Sequence, residues 1–326
     1  MQPFSYAEAN SLHSALELAA AEGAMLIAGG TDVLQLLQED VLAPPTLIGI
    51  GALPLAGVAV GADGAWIGAM ARLAAVADDA RIQQQFPLLA QALLETASPQ
   101  VRNMATVGGN LLQRTRCLYF RDSTAPCNKR SPGSGCSAWD GQNRINAIFG
   151  GSPHCIAAYP GDMGVALVAL DATVEVHGRH GPRHIKVADL HMPPGDTPAV
   201  ETTLRPGEII TAIQIPPNDF AATSHYLKVR DRASFEWALV SVAVALQRDG
   251  DTVRAARIVA GGVGTTPWRL PRVEAHLVGH MLDVTRARAA AAVAIEGADP
   301  RPGNTYKVRL LQNAIERAVL TAGGLL

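Results

Sequence analysis

The first quarter of the chain alternates apolar segments of helical period with short apolar runs that end in glycine or proline. Residues 11–22, SLHSALELAAAE, place an apolar side chain every three or four positions, which predicts a helix. Residues 25–37, MLIAGGTDVLQLL, predict a strand, a glycine turn and a helix that Thr31 or Asp32 is positioned to cap. Residues 46–53, TLIGIGAL, predict a further strand.

A longer helical pattern is followed by a segment without any period. Residues 73–97 predict a helical region that is interrupted at Pro87. Residues 105–113, ATVGGNLLQ, predict a second glycine turn. Residues 114–155 are rich in Gly, Pro, Ser and Arg and predict a long ordered insertion. Insertions of this length commonly carry function or a ligand.

Regular patterns return after the insertion. Residues 162–178 predict a helix followed by a strand, and PPNDFAAT at 216–223 predicts a domain boundary. Residues 225–247 predict a strand, a turn and a helix, and residues 251–264 predict a strand that ends in glycines. Three C-terminal helices are predicted from VEAHLVG, VTRARAAAAVAI and YKVRLLQNAIERAVLTA. The order is mixed, of the α+β class rather than regular βαβ.

Composition narrows the class of protein. A chain of 326 residues with 48% hydrophobic and 17% charged residues has the composition of a globular protein of two or three domains. A net charge of −2 argues against general nucleic-acid binding. The longest apolar run, 237–246, is too short for a membrane span. The N-terminus has no export-signal pattern, so we expect a cytoplasmic chain unless a partner carries it out.

Two glycine turns are candidates for binding an anion. AGGTD at 28–32 and TVGGN at 106–110 each follow an apolar stretch, and glycines allow backbone N–H groups to approach a phosphate closely. Together they could hold a pyrophosphate from two sides. Neither matches the dinucleotide fingerprint or the P-loop, and each alone is more commonly an ordinary tight turn.

The cysteines are the second chemical signal. All four lie within 39 positions, separated by gaps of nine, eight and eighteen residues. The absence of a CxxC pair is unlike zinc fingers and ribbons, whereas four thiolates can hold a [4Fe–4S] cluster. Zinc and iron–sulfur both stay open on spacing alone, and unrelated thiols are the third reading. Basic residues nearby could offset a cluster's negative charge: Arg114, Arg116, Arg121, Lys129, Arg130 and Arg144.

Two further residues are candidates for contacting a ligand. Asp162 follows a Pro-Gly turn and could bind a ligand hydroxyl, although an exposed helix cap is an equal alternative. Lys228 lies among apolar residues of a predicted strand and could stabilise negative charge on a cofactor. The commoner role of such a lysine is to keep an edge strand from aggregating.

Six motifs in order along the chain give a family resemblance. They are AGGTD, QVRNMATVGGN, SPHCIAAYPGD, KVRDRASFEWALVSVAVAL, GGVGTTPWR and NTYKVRLLQNAIERA. Together they resemble the FAD-binding medium subunit of the molybdenum hydroxylases, the family of xanthine and carbon monoxide dehydrogenases. The resemblance implies a flavin fold like that of p-cresol methylhydroxylase. Its parts would be FAD-binding subdomains at 1–55 and 56–220 and a C-terminal α+β domain at 221–326.

The cysteine insertion, about 114–155, resembles that of the bacterial periplasmic aldehyde oxidoreductases, and a related insertion occurs in hydroxybenzoyl-CoA reductase. The resemblance implies an extra [4Fe–4S] cluster whose ligands are Cys117, Cys127, Cys136 and Cys155. It also implies a set of FAD contacts: Ala28, Gly29, Gly30, Thr31, Asp32, Thr106, Gly108, Gly109, Asn110, Asp162 and Lys228. Lys228 would lie beside the isoalloxazine, where a cation stabilises the reduced flavin.

The function implied by this resemblance is electron transfer within an aldehyde-oxidising complex. A large partner chain would carry the molybdenum cofactor, and a small partner chain would carry [2Fe–2S] clusters. Electrons would pass through FAD here to an external acceptor. The alternatives are the FAD subunit of a xanthine or aromatic-CoA enzyme, a stand-alone flavin reductase, and a zinc-stabilised scaffold without flavin. Export to the periplasm with a signal-bearing partner is the expected localisation, with the cytoplasm as the alternative.

Overall fold

The computed structural model describes residues 1–326, and its first unit is a small parallel sheet. The strands are β1 (Ser5–Glu8), β2 (Ala24–Ile27) and β3 (Thr46–Gly49), in the order β1-β3-β2. Parallel neighbours need crossover connections, and helices α1 (Leu12–Ala19) and α2 (Val33–Gln38) supply them. The predicted order of helix, strand, helix and strand is confirmed here, and β1 is a further strand that the sequence pattern did not predict.

The second unit is a five-stranded antiparallel sheet in the order β4-β5-β8-β6-β7. Its strands are β4 (Val58–Gly61), β5 (Gly64–Gly68), β6 (Thr173–Gly178), β7 (Gly181–Lys186) and β8 (Ile209–Ile215). The seven helices between β5 and β6 are α3 (Leu73–Asp78), α4 (Ala80–Gln85), α5 (Pro87–Glu95), α6 (Pro99–Met104), α7 (Val107–Leu111), α8 (Leu118–Arg121) and α9 (Met163–Ala169). Helix α10 (Val187–Leu190) follows β7.

Two predictions in this unit need correction. The helical region 73–97 breaks at Asp79 as well as before Pro87, and Pro87 begins α5 because a first-turn proline costs no hydrogen bond. The segment predicted as a second glycine turn is instead partly helical, since residues 107–111 form the short helix α7. Two glycines weigh against a helix in propensity, but the Thr106 side chain caps this one.

The C-terminal unit is a four-stranded sheet covered by helices. Its strands are β9 (Ser224–Val229), β10 (Val240–Asp249), β11 (Thr252–Gly261) and β12 (Trp268–Arg269), in the order β12-β11-β10-β9. Three α-helices follow them: α11 (Pro271–Leu277), α12 (Val284–Ala292) and α13 (Tyr306–Ala322). Single 3-10 turns lie at Ala221–Thr223 and Val293–Ile295. The three predicted C-terminal helices are confirmed, but the helix predicted before residue 247 is wrong, because β10 is a strand.

Four hydrophobic clusters fill the molecule, and the functional site lies among them. The largest joins the five-stranded sheet, helices α3–α5 and α9, and one face of β10. A second lies between the other face of β10 and helices α11–α13. Small clusters fill the cysteine insertion and the N-terminal unit. No helix of the chain combines the length and the apolar character that crossing a membrane requires. The predicted α+β class is confirmed, and the exact domain limits stay a prediction.

Candidate functional site

One large cavity, of about 610 Å³, lies where the three units and the cysteine insertion meet. This volume is within the range of small-molecule and cofactor sites. The eleven residues that the family resemblance assigned to FAD all line it: Ala28, Gly29, Gly30, Thr31, Asp32, Thr106, Gly108, Gly109, Asn110, Asp162 and Lys228. They come from sequence positions as far apart as 28 and 228, so the fold brings the whole predicted set together. Their individual contacts with a flavin stay predictions.

The loop after β2 has the features of an anion-binding turn. The backbone N–H groups of Gly29, Gly30, Thr31 and Asp32 donate no hydrogen bond within the chain. Gly30 has φ +70°, a conformation that favours glycine, and a Cβ on Gly29 would lie 2.1 Å from the Met104 carbonyl oxygen. The loop therefore presents bare, unpaired backbone donors to the cavity, as a phosphate requires.

The loop before α7 contributes differently from the sequence prediction. The N–H groups of Val107 and Gly108 donate to the carbonyls of Ala71 and Ala69, and that of Gly109 donates to the Thr106 hydroxyl. These backbone N–H groups are therefore occupied within the chain, which argues against the expectation that the second turn holds a pyrophosphate from the other side. What this loop offers instead is the Asn110 side chain, whose Oδ1 is buried without a partner. An unpaired buried acceptor beside a cavity fits a hydrogen-bonding ligand such as FAD.

Asp162 and Lys228 form a buried ion pair on the cavity wall. Lys228 Nζ lies 2.8 Å from Asp162 Oδ2 and 3.0 Å from the Glu95 carbonyl oxygen, and the Tyr226 hydroxyl donates to Asp162 at 2.8 Å. Burial raises the pKa of the Asp162 carboxyl, and the Lys228 ammonium partly offsets the rise. The alternative of an exposed helix cap at Asp162 is wrong, since this residue is 3% exposed and makes no capping bond.

The alternative role predicted for Lys228 was to keep an edge strand from aggregating. Lys228 does lie on an edge strand, β9, but its side chain is buried. A buried ammonium serves packing and charge rather than protection of an edge. Because Asp162 neutralises it, the pair presents a hydrogen-bonding surface with little net charge to the cavity. Neither Thr31 nor Asp32 caps α2 with its side chain, so the capping prediction there is also wrong.

The four cysteines line a second, small cavity inside the insertion. Cys127 and Cys136 face each other across an antiparallel bridge, and three of the four are buried. Two sulfurs accept hydrogen bonds, Cys117 from the Asn146 amide and Cys155 from the Ala157 backbone N–H. Thiols that line one small cavity, three of the four buried, and that receive N–H donors have the donor chemistry of an iron–sulfur site. All four are free of disulfide bonds.

The geometry bears on which metal the thiols could hold. No group of three or more His, Cys, Asp or Glu side chains in residues 1–326 is already arranged to hold a metal ion. Zinc draws its thiolates to about 2.3 Å from one ion, whereas a cluster of four irons holds its thiolates further apart. Burial raises the pKa of the Cys155 thiol to about 11, and the Lys129 ammonium partly offsets that effect.

The basic residues of the insertion are used differently from the sequence prediction. Arg116 and Arg121 both contact Asp32, and Arg144 pairs with Asp231. Arg114 and Lys129 both pair with Glu201, and Arg130 donates to backbone carbonyls only. Their charge is thus committed largely to carboxylates outside the insertion, which attach it to the rest of the molecule. The Lys129 ammonium also acts on the Cys155 thiol, whose pKa it lowers against the effect of burial.

Sequence reasoning missed the aromatic wall of the large cavity. Phe235 and Trp237, in the loop between β9 and β10, line the cavity and are 48% and 37% exposed. Phe235 has φ +53°, an uncommon conformation for a residue with a side chain. The sequence signal for this wall was the pair of aromatic residues in an otherwise polar segment, RDRASFEW. It was overlooked because the segment was included in the predicted strand, turn and helix of residues 225–247.

Comparison with known proteins gives matches along the whole chain. The family described as "FAD binding domain in molybdopterin dehydrogenase" matches residues 2–218, and "CO dehydrogenase flavoprotein C-terminal domain" matches residues 225–322. The chain is 42% identical over 325 residues to the aldehyde oxidoreductase FAD-binding subunit PaoB of Escherichia coli strain K12, covering 99% of both. It is 29% identical to the glyceraldehyde dehydrogenase medium chain of Sulfolobus acidocaldarius, covering 86% of this chain and 83% of that one.

Solved structures share the fold from end to end. The reconstituted CO dehydrogenase of Oligotropha carboxidovorans matches with a TM-score of 0.78 at 24% identity, over 100% of this chain and 99% of that one. A carbon monoxide dehydrogenase of Hydrogenophaga pseudoflava that lacks the Mo-pyranopterin moiety also matches with a TM-score of 0.78, at 25% identity and the same coverage. The fold implied by the sequence resemblance is confirmed.

Proposed function

This chain belongs to the FAD-binding medium subunits of the molybdenum hydroxylases, and from that membership we propose its specific role. It is the FAD subunit of an aldehyde oxidoreductase, and it also carries a [4Fe–4S] cluster. Partner chains supply the molybdenum cofactor and the [2Fe–2S] clusters. The aldehyde assignment draws on the 42% identity to the aldehyde oxidoreductase subunit PaoB over 99% of both chains.

The observation that carries the flavin proposal is the shared cavity. Eleven residues from separate parts of the chain line about 610 Å³, and one of the loops among them offers four unpaired backbone N–H groups. Unpaired N–H donors suit the pyrophosphate, and the buried Asn110 acceptor suits a hydroxyl-bearing chain. When bound, FAD stores two electrons and so joins one-electron partners to an acceptor.

The protein's own residues bind and shield the cofactor. Loop 28–32 holds the phosphates, and the Asp162–Lys228 pair provides an oriented donor and acceptor within the cavity. Phe235 and Trp237 form the partly exposed rim, which limits the access of water and leaves a side open to an acceptor.

The cluster proposal rests on the four thiols around one small cavity. The burial of three of them and the two N–H donors that their sulfurs receive match the surroundings of iron–sulfur ligands. The cavity lies in the insertion, whose Arg116 and Arg121 contact Asp32 of the flavin loop. A cluster held by these thiols would therefore lie in the segment that contacts the proposed phosphate-binding loop.

The test is the content of iron, zinc and flavin per chain in the complex purified without oxygen. We expect about four iron atoms on this chain, beyond those of the [2Fe–2S] partner, and one FAD. A Cys136→Ser variant should lose this iron and should still bind one FAD when FAD is supplied in excess. Zinc in place of iron would overturn the cluster proposal, and a complex without flavin would overturn the flavin proposal.

A further inference from the structure

Asp32 stands at the boundary between the flavin loop and the cysteine insertion. Its carboxylate accepts the Arg114 backbone N–H at 2.7 Å and contacts the guanidinium groups of Arg116 at 2.7 Å and Arg121 at 2.9 Å. The three side chains that form the two ion pairs are each 14–17% exposed. A single carboxylate thus receives three donors from one eight-residue stretch of the insertion.

These contacts argue against a direct role for the Asp32 side chain in holding phosphate. A carboxylate is an acceptor only, and it would repel a pyrophosphate in the adjacent loop. Both oxygens are already used by the insertion. The backbone N–H of Asp32 stays free for the cofactor, so its side chain and its main chain serve different partners.

Arg116 is the other half of this contact. Its guanidinium also lies 4.3 Å from the centroid of the Trp237 ring, on the rim of the flavin cavity, and donates to Gln35 of α2. The residue that follows it in sequence is Cys117. One side chain therefore touches the flavin loop, the helix behind it and the aromatic rim, while its backbone adjoins a cysteine.

From these contacts we propose that Asp32 and Arg116 are positioning residues that couple flavin binding to the folded state of the cysteine insertion. The proposal rests on the flavin site proposed above. Ordering loop 28–32 around FAD fixes the Asp32 carboxylate, which holds residues 114–121 and with them Cys117. Coupling of this kind is reciprocal, so a folded insertion must strengthen flavin binding by the same factor.

The sign of one substitution separates this coupling from simple electrostatics. If Asp32 only placed a negative charge beside the phosphates, Asp32→Asn would tighten FAD binding. Under the proposed coupling, Asp32→Asn loosens loop and insertion together, and the Kd for FAD rises about tenfold or more. The readout is flavin fluorescence during titration of the full-length, iron-free chain. An unchanged or lower Kd overturns the proposal.

A second readout follows the cysteines themselves. The alkylation rate of the four thiols is measured by mass spectrometry on the iron-free chain, with and without saturating FAD. In the wild type we expect FAD to slow alkylation about fivefold or more, and in Asp32→Asn and Arg116→Gln we expect this ratio to fall towards one. A purely structural role would speed alkylation equally with and without FAD and leave the ratio unchanged, which would overturn the proposal.

Arg144→Gln is the matched control, because Arg144 belongs to the same insertion and pairs with Asp231, yet does not line the cavity and is 53% exposed. It should keep both the wild-type Kd and the wild-type alkylation ratio. Arg116→Lys, which keeps the charge, should restore part of the ratio lost in Arg116→Gln. A wild-type chain that binds no FAD overturns the proposed function. A wild-type chain that binds FAD but shows no protection of its thiols overturns the coupling alone.

Discussion

At the scale of single residues, the flavin loop depends on the absence of a side chain. Gly29 packs so closely on the end of α6 that a Cβ would lie 2.1 Å from the Met104 carbonyl oxygen and 2.8 Å from its carbonyl carbon. Both are backbone atoms, which cannot rotate away as a side chain can. Any larger residue therefore separates loop 28–32 from α6 and moves the free N–H groups of the loop.

We expect Gly29→Ala to raise the Kd for FAD about tenfold or more, because the displaced loop no longer directs its donors at the phosphates. Titration of the purified chain by flavin fluorescence measures this. Gly61→Ala is the matched control, since a Cβ at that strand position meets nothing within 4 Å. Equal affinities of Gly29→Ala and Gly61→Ala would show that the loop tolerates the shift.

At the scale of elements, sequence pattern succeeded where one face of an element is polar and failed where both faces are buried. Strand β10 was predicted as a helix because WALVSVAVAL has no polar alternation. In the structure Val240, Val242, Val244 and Leu246 face the C-terminal helices, while the alternate positions face the main core. A central strand buried on both faces shows a continuous apolar run, which periodicity cannot tell from a buried helix.

The parts of the candidate site that could be predicted are those whose residue types by themselves indicate a chemistry. Glycine pairs and clustered cysteines stand out in one sequence, and the family motifs gave their grouping. The contacts of Asp32 could not be predicted from the sequence, because pairing between residue 32 and residues 114–121 depends on tertiary packing. The sequence also could not show that the backbone N–H groups are free in the first glycine loop and paired in the second. That difference depends on which carbonyl groups lie nearby in the folded chain.

Helix α13 attaches the end of the insertion to the C-terminal sheet through a buried lysine. Lys307 is fully buried, and its Nζ donates to the carbonyls of Ile145, Asn146 and Gly262 at 2.6–3.1 Å. We expect Lys307→Met to lower the free energy of unfolding by about 3 kcal/mol, because it leaves buried acceptors without donors. Chemical denaturation measures this, with the exposed Lys186→Met as the control.

The cost of Lys307→Met should also depend on pH. Burial lowers the pKa of Lys307 to about 7, from an ordinary value of 10.5. Between these values the unfolded chain holds a proton that the folded chain has released, so the wild-type free energy of unfolding gains from rising pH. The difference between wild type and Lys307→Met should therefore grow from pH 7 to pH 9. A constant or shrinking difference would mean that the three carbonyls keep Lys307 charged.

At the scale of the whole molecule, the cysteine insertion is the part least able to fold by its own apolar burial. The hydrophobic cluster that it joins has nine buried residues, of which five belong to the insertion and three are cysteines, against 38 in the main core. Its one helix, α8, has four residues. The insertion is instead attached from outside, by Asp32 of the first unit, Glu201 of the second and Lys307 of the third.

This arrangement predicts a local rather than a global response to loss of the metal. Removing the proposed cluster leaves four free thiols with no bonds between them, so residues 114–155 of the FAD-free chain should lose order while the three sheets persist. Hydrogen exchange of the iron-loaded and iron-free chain measures this, and we expect faster exchange confined to the insertion and to loop 28–32. Equally fast exchange in β10, which lies outside both segments, would show that the insertion and the sheets unfold as one unit. In that case the metal would stabilise the whole subunit rather than the flavin site beside it.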